Sequence, residues 1–179
     1  MNIFYLSHNP KECAEQHCDK HCVKMILEYA QLLSTAHRVL DGREYMDASS
    51  GRKMKRWMLP NPTMDKMLYK ATYINHPSAV WVRQSNNNYN WLYCLFQSLM
   101  TEYTYRYGKT HACDKLSPFL CHTPRNIPID YFTQPTPAMP DEYKVIGDSI
   151  KSYHNYYIGA KSRMANWKNR QIPNFMRTV

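Results

Sequence analysis

A chain of 179 residues with 44% hydrophobic and 13% aromatic residues can bury a substantial core in one domain, and this excludes a disordered chain. No run approaches the ~20 apolar residues of a membrane span, and the start, residues 1–12, has neither the basic nor the apolar region of a secretory signal; the expectation is a cytoplasmic protein with no membrane partner. The net charge of +9, from 23 Lys and Arg against 14 Asp and Glu, favours a polyanionic partner, and the 15 Tyr and 4 Trp suit stacking on ligand rings as well as half-buried packing. Six cysteines, at 13, 18, 22, 94, 113 and 121, would stay reduced in that compartment.

In chain order, the run Asn2–Leu6 has no second strong strand to pair with, so residues 1–9 read as an extended arm. From Lys11 to Leu40 the pattern predicts one long helix, opened by Pro10 and stopped by Asp41–Gly42. At 100° per residue Cys18, Cys22, Met25, Ile26, Tyr29 and Leu33 gather on one side, while His17, His21, Lys24, Glu28, Gln31 and Thr35 form a narrow polar stripe on the other. Residues 43–60, with the basic stretch GRKMKRW, are poorly periodic and read as a loop. A short helix is expected over Met64–Tyr73, and another starts at Asn75–Pro77. The strongest helix carries Tyr89, Leu92, Phe96, Leu99 and Tyr103 at spacings of three and four and stops at Gly108. A short helix follows within 109–122, and five prolines make 123–140 an extended wrapping segment. A last helix is expected from Asp148 to Trp167. The expectation is an all-α fold in a single domain, residues 1–179, with no internal repeat.

The polar stripe is richer in histidine than a solvated face usually is. His17 and His21 are spaced to share a metal ion, but the intervening residues are Cys-Asp-Lys and no metalloprotease pattern is present; His111, Cys113, Cys121 and His122 form only a loose cluster. No metal and no cofactor is expected. There is no nucleophilic cysteine motif and no phosphate-cradling glycine loop. Glu28, one turn from Lys24, is either half of a surface pair or, under a covering segment, a carboxylate able to move protons or stabilise positive charge. Cations and rings also interleave in Glu102–His111, with Arg106 and Lys109, and in Ser152–Arg170, with Tyr157, Lys161, Trp167, Lys168 and Arg170; this combination suits phosphates and bases, or a tyrosine core under solvated cations.

Three segments resemble the phage-type pyrimidine-dimer DNA glycosylases (endonuclease V type): a short arm followed by CAEQH and a later glutamate, NHPSAVWVR before a long helix ending EYTYRYGK, and the aromatic-basic YHNYYIGAK and NWKNR. The resemblance implies a small basic helical protein whose N-terminal amine attacks the sugar of a damaged nucleotide, with a helix glutamate stabilising the cation and β-elimination breaking the strand. The prototype exposes a threonine after losing its initiator methionine. Here the side chain of Asn2 is of a size that leaves Met1 in place, so the amine is that of Met1, or of a lysine such as Lys20 or Lys24. Glu28 is the natural carboxylate, while matching helix ends would put Gln31 there. His17, His21, Gln31, His76, Arg83 and Lys24 would line the site, with Arg106, Lys109, Lys161, Lys168 and Arg170 on the phosphates of duplex DNA. The rival reading is a non-catalytic phage protein that sequesters a nucleotide or modified base.

Overall fold

The arm enters the core as extended chain with no strand beside it. Ile3, Phe4, Tyr5 and Leu6 are all buried, so their backbone groups need partners from side chains. Tyr29 Oη accepts from Phe4 N at 3.2 Å, the Cys13 thiol donates to Phe4 O and accepts from Leu6 N, and His154 Nε2 bonds Leu6 O at 2.9 Å. The computed structural model describes residues 1–49 and 51–177.

The helix expected over Lys11–Leu40 is two helices. Asn9 caps α1 (Pro10–Gln16) by accepting from Lys11 N and Glu12 N, and α2 (Asp19–Asp41) starts after a break at His17 and Cys18. A guanidinium from far along the chain fills the break. Arg106 donates to the carbonyls of Glu15 and His17 and to the Asp19 carboxylate, each at 2.9 Å, and to Glu102 at 2.6 Å. Backbone acceptors that a continuous helix would use internally are thus satisfied from outside. Burial pushes the Glu102 carboxyl up, but bonds from Arg170 and Arg106 outweigh it and hold it below the usual range. At its other end α2 stops at Gly42, where a Cβ would collide with the Arg38 carbonyl and crowd Trp57.

Residues 43–60 are not a loop. They form an antiparallel hairpin, β1 (Arg43–Asp47) and β2 (Met54–Met58), with Glu44 opposite Trp57 and Met46 opposite Lys55. The fold is therefore mostly helical with one small sheet rather than all-α. Arg38, fully buried in α2, ties the hairpin down: it donates to Trp57 O and Asp65 Oδ1, both at 2.7 Å, and to the carbonyls of Asp65, Leu68 and Tyr69. The short helix expected over Met64–Tyr73 is α3 (Pro62–Met67), capped by Asn61.

Two further helices, α4 (Pro77–Gln84) and α5 (Asn86–Tyr107), pack with α1 and α2. Gly108 ends α5 in the left-handed region at φ 64°. After α5 come a 3₁₀ turn, Ala112–Leu116, and the short α6 (Ser117–Leu120). The proline-rich segment is extended as expected and is pinned to α4 and α5: Trp81 Nε1 donates to Thr133 O, Ser85 Oγ to Tyr131 O, and Asn88 Oδ1 accepts from Thr133 N. The last long helix is shorter than expected. It consists of α7 (Ser149–Tyr156), which widens into a π turn at Tyr157–Lys161 and tightens at Ser162–Met164; α8 (Asn174–Arg177) follows. Gly159 sits in the widened turn against the Tyr143 ring, where no Cβ fits.

Replacing Arg106 by Ala leaves Glu102 buried beside an unfilled helix break. Urea unfolding is expected to show a loss of about 3–5 kcal/mol, with Arg106→Lys falling in between.

Candidate active site

The anchored arm delivers its terminus to α2. The Met1 amine lies 3.9 Å from Glu28 Oε2, and Lys24 Nζ lies 3.1 Å from Glu28 Oε1, so two cations share one carboxylate. The Glu28 side chain is 14% exposed, against 69% for Lys24. His76, at the cap of α4, lies within electrostatic reach of both the terminus and Glu28. Its Nδ1 accepts from Ser78 N at 3.2 Å, so in the neutral ring Nε2 carries the proton. Burial first, then the positive charge of the terminus, hold the His76 ring below its ordinary pKa, against the pull of Glu28. An amine and a carboxylate thus meet where the arm reaches α2, with an imidazole on α4 within reach of their charges. Such a group can exchange protons and hold a developing positive charge.

An open hollow of about 430 Å³ lies beside His76, between β2 and the turn at 73–76, lined by Lys55, Trp57, Tyr73 and Asn75. Tyr73 is 72% exposed and has φ 46°, an uncommon conformation for an aromatic residue and one that a functional constraint can explain. Thr72 N donates to Thr35 Oγ1, which carries the chain leading into this turn across α2. Arg83, on α4, donates to Ile74 O at 2.7 Å, while its Nη1 is buried without a partner. Among the described residues Arg83 has no carboxylate partner, and burial lowers its pKa.

The sequence stripe therefore divides. Lys24 and Glu28 come together with Met1, His76 feels the charges of Met1 and Glu28, and Gln31 lies half-buried three residues beyond Glu28. His17 and His21 do not line the site: they are buried under the arm, His17 bonded to Cys13 O and Tyr29 Oη, His21 stacked on Phe4 at 4.0 Å and bonded to Tyr157 Oη at 2.6 Å. Arg106 holds the helix break rather than a phosphate, and Arg170 pairs with Glu102 and Glu15. Tyr157 and Trp167 are buried, Trp167 Nε1 donating to Gln16 O, so neither offers a free stacking face. The Lys168 ammonium lies over the Tyr107 ring, and Lys109 is exposed at the far end of α5, near the Asp19 end of α2. Lys161 lies over the Tyr156 ring, and its charge reaches the buried His21. Trp57, Tyr73 and Lys55 were missed, because a hairpin hidden in a basic stretch and one left-handed tyrosine leave no periodic signal.

Burial, with smaller contributions from neighbouring charges, lowers His17 to about 4, His21 to about 3 and His37 to about 4, from 6.5. In the unfolded chain these rings take up protons below pH 6.5, so the stability from keeping them neutral is whole above that pH and is lost as pH falls towards 4. Thermal melts should show Tm falling between pH 7 and 5. His21→Gln, less stable at neutral pH, should lose less over that interval.

The family model for pyrimidine dimer DNA glycosylases matches residues 1–115, a span that contains Met1, Lys24, Glu28, His76, Arg83 and the hairpin. No curated protein and no solved structure matches the chain. With the match covering more than half of its length, the chain belongs to the pyrimidine dimer DNA glycosylase family.

Proposed function

We propose that the protein is a DNA glycosylase with lyase activity on damaged pyrimidines in duplex DNA, with the Met1 amine as nucleophile and Glu28 as its proton acceptor and charge stabiliser. The observation that carries this is the 3.9 Å approach of the Met1 amine to a half-buried Glu28. The ammonium first loses a proton to Glu28. The neutral amine then attacks C1′ of the nucleotide; the glycosidic bond breaks, and its electron pair leaves with the pyrimidine, which takes up a proton. Opening of the sugar ring gives an imine to Met1, and loss of a C2′ proton expels the 3′ phosphate by β-elimination. Glu28 and His76 are the groups placed to move these protons. The arm holds the amine in place before substrate arrives, and the reacting nucleotide leaves the stack to reach it. Arg83, with its unpartnered nitrogen, is a cation that suits a phosphate beside this site.

Borohydride trapping tests the reading. Wild-type protein incubated with duplex DNA containing a pyrimidine dimer or an abasic site should give a covalent adduct that peptide mapping places on Met1. Glu28→Gln should lower the trapping rate ~100-fold or more, and an added N-terminal residue should abolish it, while Lys24→Ala keeps it. An adduct on Lys24 would overturn the nucleophile assignment. No adduct, with tight binding of a free nucleotide, would overturn the enzyme and favour the sequestering protein.

A further inference from the structure

The β1–β2 hairpin is a locally cationic ribbon. Arg43, Arg52, Lys53 and Lys55 are exposed and Arg56 is half-buried, against two acids, Glu44 and Asp47. Lys55 pairs with Glu44 at 3.0 Å, and Arg56 and Lys70 face Asp47. Arg43, Arg52 and Lys53 have no carboxylate partner among the described residues, whereas Arg38 and Arg106 are tied to internal acids. Three methionines lie among these charges: Met46 is 57% exposed, Met54 37% and Met58 45%, with Met58 opposite Arg43 and Met54 opposite Asp47.

Lysine and arginine on an edge strand can serve only to prevent pairing with another chain. That role does not call for exposed thioethers on the same ribbon. The hairpin is also rigid at its base, where Trp57 is buried and its carbonyl is held by Arg38, and Lys55 and Trp57 border the hollow beside His76. A cationic two-stranded ribbon thus starts at the edge of the candidate active site. Such a ribbon fits a major groove roughly 12 Å wide, where apolar side chains can contact the methyl group of thymine.

We propose that the β1–β2 hairpin lies in the major groove of duplex DNA beside the reacting nucleotide, with Arg43, Arg52 and Lys53 on phosphates and with Met54 and Met58, which share one face of the ribbon with Arg43 while Met46 lies on the other, against base edges. This rests on the glycosylase reading for its substrate, and the groups it uses are separate from those that do the chemistry.

Three full-length variants test it on the same abasic duplex: Arg43→Gln/Arg52→Gln/Lys53→Gln, the charge-keeping Arg43→Lys/Arg52→Lys/Lys53→Arg, and Met54→Ser/Met58→Ser. Binding is measured as Kd between 50 and 200 mM salt, with melts to confirm an unchanged fold. The neutralised variant should weaken binding at least tenfold and make the salt slope shallower by about 2.7, the share of three phosphates. The charge-keeping variant should restore both, and the methionine variant should weaken binding at an unchanged slope. Wild-type affinity and slope in the neutralised variant would overturn the proposal, as would neutralisation that lowers only binding to anionic vesicles. An adduct trapped by wild type, with no effect of the hairpin variants on Kd, would sink the hairpin and leave the chemistry standing. Weakened binding without any adduct would do the reverse.

Discussion

An extended segment inside a core must find a partner for every backbone group without the help of a neighbouring strand, and this constraint organises the molecule. Phe4 and Leu6 meet it through Tyr29 from α2, Cys13 from α1 and His154 from α7. Each partner belongs to a different helix, so the arm has its place only once those helices are docked. The position of the chain terminus next to Glu28 is thus set by tertiary packing, two residues from the first fully buried side chain, Ile3.

The helices with clear caps and an unbroken apolar spacing, α4 and α5, were legible in the sequence, as were the arm and the proline-rich strap. The break at His17–Cys18 was not, because the group that stabilises it, Arg106, is 89 residues from His17. The hairpin escaped notice because both of its faces carry polar residues, and the connection between Asp47 and Met54 is too long for a two-residue turn signature. The helical wheel placed His17, His21 and Thr35 outside, opposite the apolar face. A wheel describes one helix and cannot see that the arm and the run at 72 lie across that second face. Polar side chains survive there because their atoms are bonded, His17 through both ring nitrogens and Thr35 through Thr72 N. Glu28 stood out in the stripe, but its pairing with the terminus came from the family likeness and not from any spacing.

The richness in tyrosine has a structural use that composition did not suggest. Three buried histidines each bond a tyrosine hydroxyl: His17 with Tyr29, His21 with Tyr157, His37 with Tyr89. Burial lowers the rings and raises the phenols, so both members stay neutral and each satisfies the other without burying charge. Phenylalanine in these places would strand the imidazoles. The charged residues divide in a comparable way, with a few arginines holding the interior together and the other cations left at the surface.

The family likeness stops at residue 115, yet the chain after it is woven into the part before it. Asn166 O accepts from Asp19 N, Lys168 N donates to the Asp19 carboxylate, Trp167 caps the end of α1 through Gln16 O, and Arg170 completes the cluster around Glu102. Tyr153, His154 and Tyr157 close over the arm. A boundary drawn where recognisable ancestry ends would cut through a continuous interior and uncover the very residues that seat the N-terminus. The last third of the protein is the cover under which the arm is held.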